Sequence, residues 1–122
     1  MVVSPSQSRI WRQRRQEAIA LAEAREQAAQ RLAPEAAALL RQSWPGLDGI
    51  WLFGSVAEGR THSSSDIDLA VAGLPPEALL AATAELDSLA SRQDPAIPID
   101  LVRLESLPPH WQQRIRERAT VL

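Results

Sequence analysis

At 122 residues the chain is sized for one domain around a single core, with little left for a separate substrate domain. Its net charge of −2, with 45% hydrophobic and 23% charged residues, is ordinary for a globular protein, and no apolar run approaches the roughly 20 residues of a bilayer span. Cysteine is absent, which excludes disulfides and thiolate metal sites; all 13 basic residues are arginine, which excludes a lysine-bearing phosphate loop and lysine-adenylate chemistry.

Tyrosine is absent too, so the chain cannot modify a tyrosine of its own. Residues 1–8 lack the basic start and apolar stretch of a secretory signal, and a cytoplasmic location is expected. Charge is unevenly spread. Residues 1–32 hold six Arg and three Glu, net +3; residues 33–102 hold three Arg and ten acids, net −7; residues 103–122 hold four Arg and two Glu, net +2. An acidic centre between basic ends suits a cation-loaded site better than a bare nucleic-acid surface.

In chain order, residues 1–7, with Ser4, Pro5 and Ser6, read as a frayed start. Ser6 or Ser8 can cap a first helix that runs to about Leu32, rich in good helix formers. Its apolar face is thin: Trp11, Ala18, Leu21, Ala22, Ala28 and Leu32, with Ile10 beside Trp11. Such a face suits docking to a partner, or to another copy of the chain, better than nucleating a core. The cluster Arg9, Arg12, Arg14 and Arg15 invites a nucleic-acid reading, but a solvated helix face with ion pairs to Glu17 and its neighbours is the preferred one. Pro34 fits the first position of a second helix, with Glu35 behind it, Leu39, Leu40 and Trp44 facing inward, and Trp44-Pro45-Gly46 as its stop.

The apolar run Ile50, Trp51, Leu52 and Phe53 reads as a buried strand, stopped by Gly54, where the missing Cβ permits a sharp turn. Ser55 opens a helical turn, and a small, polar loop follows from Val56 to Ser65. Ile67 to Ala72 is a second strand, broken by Gly73-Leu74-Pro75-Pro76. A helix from Pro76 or Glu77 to about Ser91 repeats Leu79, Leu80, Thr83, Leu86, Leu89 and Ala90 at helical spacing. A third strand spans Ile97 to Leu104, with Pro98 indicating that it begins at an edge or is irregular at its start, and a last helix runs from His110 to about Ala119 with Trp111, Ile115, Val121 and Leu122 inward. Trp44, Trp51 and Trp111 are expected in the core, His62 in solvent and His110 in a structural role.

Three acids carry the chemistry. Asp66 and Asp68 sit two apart, so on a strand both side chains leave one face. Asp100 interrupts an apolar strand, where an acid is costly to bury without a cation or hydrogen-bond partner. Carboxylates aimed at a Gly-Ser turn describe a metal–triphosphate site.

The series Gly54-Ser55, ten residues, Asp66-Ile67-Asp68, then Asp100 resembles the signature of the DNA polymerase β-type nucleotidyltransferase superfamily. It is most similar to the minimal nucleotidyltransferases, small single-domain proteins often encoded beside a HEPN-domain partner. The resemblance implies an α/β (α+β) fold with a small mixed, twisted sheet and helices packed mainly on one side. It implies one domain, with residues 1–33 as an N-terminal helical extension and 34–122 as the catalytic core. It further implies two Mg²⁺ held by Asp66, Asp68 and Asp100, and ATP bound at Gly54, Ser55, Arg60 and Ser65. Transfer of AMP to a tyrosine of a HEPN toxin would make the chain an antitoxin. Transfer to a small molecule of aminoglycoside type, or neutralisation of a partner by contact alone, are the rival readings. Where the family commonly has Arg within Gly-Ser-x-Ala-Arg-Gly, Glu58 stands here, with Arg60 two positions on. An acid there opposes triphosphate binding.

Overall fold

The computed structural model describes residues 4–122; the frayed start expected for residues 1–7 lies outside the described residues as far as residue 3. From Ser4 the chain is already structured. The Ser4 hydroxyl accepts from Gln7 N–H at 3.2 Å, and the Gln7 side chain accepts from Ser4 N–H at 3.0 Å. This reciprocal cap, with Pro5 in the first turn, starts the helix earlier than Ser6 or Ser8 would.

That helix, α1 (Pro5–Ser43), is continuous, so the two helices expected on either side of Pro34 are one. Proline forfeits one hydrogen bond and crowds the preceding turn. Here packing on both sides overrides that cost: Ala29, Leu32, Ala33, Ala36, Ala37 and Leu40 are all buried. The N-terminal half of α1 has no such support. Trp11 is 71% exposed, and Ile10, Ile19 and Leu21 are open as well.

After α1 come β1 (Gly49–Phe53), α2 (Gly54–Ala57), β2 (Ile67–Ala72), α3 (Leu79–Ser91), β3 (Ile99–Arg103), α4 (Pro109–Arg118) and β4 (Thr120–Val121). The sheet order is β3-β2-β1-β4, with β1 antiparallel to β2 and β4, and β2 parallel to β3. It is a mixed four-stranded sheet, the nucleotidyltransferase-like fold expected, with one strand more than the sequence indicated. Ile97 is buried but outside β3, because Pro98 has no N–H to give the ladder.

Period-2 alternation divides the strands between two cores. Ile50, Leu52, Ile67, Leu69, Val71 and Ile99 pack with the C-terminal half of α1 and with α3. Trp51, Ala70 and Ala72 pack on the opposite face with Leu104 and Ile115 of α4. The two longest helices therefore share one side, and α4 covers the other. Three residues expected inward are not. Leu80 and Val121 point to solvent, and Trp111 is 44% exposed on the outer wall of α4. β4 forms because Leu122 N–H reaches Ile50 O at 2.9 Å, which continues the ladder past α4.

Candidate active site

The ends of the strands bring the motif together. β1 finishes at Phe53, opposite Asp68 in the antiparallel register, and Gly54 follows directly. Asp68 pairs with Asp100 across the parallel β2–β3 ladder. By alternation, Asp68 and Asp100 lie on the α4 face, in line with Ala70 and Val102. Asp66 falls just outside β2, which begins at Ile67, so it owes its place to the loop and not to the pleat.

Burial first, then Asp100 and then Asp66, pushes the Asp68 carboxyl above the ordinary carboxylate range. An anionic cluster of this kind gains from a divalent cation, and all its donors are hard oxygens, as Mg²⁺ prefers. As placed, no group of three or more carboxylates or imidazoles among the described residues closes around an ion. Asp100 is exposed and Asp66 only half-buried. The exposure also corrects the expectation that Asp100 is an acid buried inside an apolar strand.

Gly54 is the tightest point. Its φ is +79°, a region that L side chains rarely adopt, and an added Cβ would lie 3.2 Å from Asp68 Cγ. Ser55 donates its hydroxyl to Ser65 Oγ at 3.0 Å. Ser65, 3% exposed, also accepts from His62 N–H at 2.9 Å and donates its own N–H to His62 O. The two serines thus bind each other and the loop that carries Asp66. Arg60 is exposed and forms an ion pair with Glu58. Its hydrogen bond, then its charge, holds the Glu58 carboxyl below the usual value. The acid that departs from the family pattern is thereby matched by a neighbouring cation. His62 is exposed, as expected, with Ser64 on its Nδ1.

Beside this motif runs a cleft of roughly 280 Å³ between α2 and α4, walled by Phe53, Gly54, Trp111, Arg114 and Arg118. Trp111 carries the Arg114 guanidinium 5.6 Å from its ring centre. Glu58 and Arg60 offset one another at its rim, and the α4 arginines leave the cleft basic. The sequence signal for this wall is the 111, 114, 118 spacing on one helix face, which reads as core only if the sheet covers all of α4.

A second addition comes from α1. Arg25 Nε donates to Ser65 O at 2.6 Å, and the same guanidinium lies 3.9 Å from Asp66 Oδ1. Glu26 accepts from the Thr61 hydroxyl at the start of the same segment. No spacing rule links residue 25 to residue 65. The register of packing between α1 and the sheet creates the contact.

A family model described as polymerase beta, nucleotidyltransferase, matches residues 37–122. No curated protein matches the sequence significantly. Among solved structures, a chain of a toxin–antitoxin complex with AMP-PNP is 36% identical, covering 70% of this chain and 67% of that one, at a TM-score of 0.54. A chain from the tri-AMPylated Shewanella oneidensis HEPN toxin in complex with MNT antitoxin is 31% identical, covering 76% and 70%, at 0.51. A chain of the MntA–HepT toxin–antitoxin is 29% identical, covering 75% and 69%, at 0.53.

Proposed function

The chain belongs to the polymerase β nucleotidyltransferase family, and from that premise we propose that it moves AMP from ATP to a tyrosine hydroxyl of a HEPN-domain partner, acting as its antitoxin. The observation that carries the reading is the in-register pair Asp68 and Asp100, with Asp66 two residues before and Gly54 against Asp68. A relative's toxin, seen tri-AMPylated beside its MNT antitoxin, is the product that such a reaction leaves.

In this reading the attacking oxygen forms a bond to the α-phosphorus while the bond to the leaving pyrophosphate breaks. Asp66, Asp68 and Asp100 would hold Mg²⁺, which when bound supplies Lewis acidity at the phosphate and counter-charge for the leaving group. Asp100 would take the proton of the incoming hydroxyl, a role that its exposure on the edge strand supports. Gly54 keeps the backbone clear of Asp68, and Ser55 fixes the turn through Ser65. Arg114 and Arg118 face the cleft from α4, where they can meet phosphate charge. Because this chain has no tyrosine, a tyrosine label must appear on the partner.

The test is incubation with labelled ATP, Mg²⁺ and a HEPN-domain protein from the neighbouring gene, where that gene encodes one. The partner should take up the label, and Asp68→Asn should end the uptake. An unlabelled partner, or equal labelling by Asp68→Asn, refutes the assignment. A small-molecule acceptor predicts label on a drug and none on protein.

A further inference from the structure

We infer that Arg25, outside the family-matched residues 37–122, is a positioning residue: α1 braces the segment that delivers Asp66. Ser65 is held at every polar atom. Its N–H goes to His62 O at 3.1 Å, its hydroxyl lies between Ser55 Oγ and His62 N–H, and its carbonyl accepts from Arg25 Nε. The Arg25 side chain is 16% exposed, so water competes poorly for that carbonyl. Four residues earlier in the loop, Thr61 is tied to Glu26. Adjacent residues of one helix thus fasten both ends of residues 61–65.

The anchor of the brace is firm because Ala29, one turn further along α1, is fully buried. A planar guanidinium also does two things at once here. It bonds the Ser65 carbonyl and places positive charge 3.9 Å from Asp66 Oδ1. At that distance the ion pair is loose, which leaves the Asp66 oxygens open to another cation while the peptide before them stays fixed. The catalytic half of this inference rests on the transfer reaction proposed above. The mechanical half does not.

Hydrogen exchange on the full chain without nucleotide separates the two. In Arg25→Ala the amides of His62, Ser65 and Ile67 should exchange at least about tenfold faster, while Leu52 in β1 keeps its protection. In transfer assays kcat should fall by roughly ten- to a hundredfold with the KM for ATP within about twofold, the pattern of misplacement and not of lost binding. Arg25→Lys, which keeps a donor and the charge, should recover most of both. Thr61→Val, which removes only the hydroxyl bonded to Glu26, is the milder second variant and should speed exchange at His62. Unchanged exchange at these amides in a folded Arg25→Ala and in Thr61→Val overturns the brace, and a loosened loop with full kcat overturns the positioning role of Arg25 in the reaction. If the wild type transfers no AMP, the exchange result still decides the brace, and only the reaction is lost.

Discussion

The Asp68 carboxylate fills the space that a side chain at Gly54 would need. A Cβ at residue 54 would collide with Asp68 Oδ2 and sit 3.2 Å from its Cγ, and the backbone there has φ +79°. Gly54→Ala therefore meets two penalties: about 1–2 kcal/mol of backbone strain, and displacement of a carboxylate from the site. Denaturant titration should show the first as a lower midpoint. The second should appear as at least a roughly tenfold loss of AMP transfer, since a small shift of a reacting group is costly. An alanine variant with wild-type turnover would remove Asp68 from the reaction.

The folded chain destabilises its own Asp68 charge. Burial, Asp100 and Asp66 raise that carboxyl above its usual value. The native state thus keeps the proton to a higher pH than the unfolded chain does. The contribution to stability is best below the ordinary carboxylate range and declines as pH rises through the raised value. Asp68→Asn should consequently melt roughly 1–3 °C higher than wild type at pH 7 without divalent cations. The gain should vanish at about pH 3, below the ordinary carboxylate value, where both side chains are neutral. Mg²⁺ should raise the wild-type midpoint and leave the variant nearly unmoved, as scanning fluorimetry can show.

Much of the site was legible because it is local. Gly54-Ser55 and Asp66-x-Asp68 fall within fifteen residues, and parallel pairing of β2 with β3 sets Asp68 beside Asp100. Chain-order signals also placed β1, β2, α3 and α4 within two or three residues. What escaped depends on distant packing. Nothing near residue 25 announces that its guanidinium meets Ser65, and nothing near Trp111 says that the sheet stops short of it. β4 is two residues long and forms only because β1 offers a free edge. α1 is one helix and not two for the same reason: Pro34 is a local stop signal that burial on both sides overrules. A cut after residue 32 would therefore delete Ala29 and Leu32 from the core, and could not serve as a test of partner docking alone.

Pro34 is solvent-facing inside α1, and it leaves the Gln30 carbonyl without its usual helical donor. Alanine at this position restores the hydrogen bond and is the best helix former. Pro34→Ala should stabilise the protein by about 1–3 kcal/mol in urea unfolding, with no change in transfer rate. A loss of stability would mean that the proline shapes the path of α1 over the sheet.

Glu58 and Arg60 form an ion pair at the rim of the cleft that Arg114 and Arg118 make basic. Both are exposed, so the pair is screened and adds little to stability. Its effect is on charge. Arg60, by its hydrogen bond and then its charge, keeps Glu58 ionised to a pH below the usual carboxylate value, so the rim stays balanced throughout the neutral range. Glu58→Gln would release Arg60 and leave the cleft one charge more positive. The KM for ATP should then fall by about two- to fivefold at low salt, the size of an exposed charge interaction. The gain should shrink toward about 1 M salt, where the Debye length is roughly 3 Å. Steady-state kinetics at two ionic strengths measures both. An unchanged KM at low salt would show that the triphosphate does not reach this rim, and would leave the α4 arginines to meet it alone.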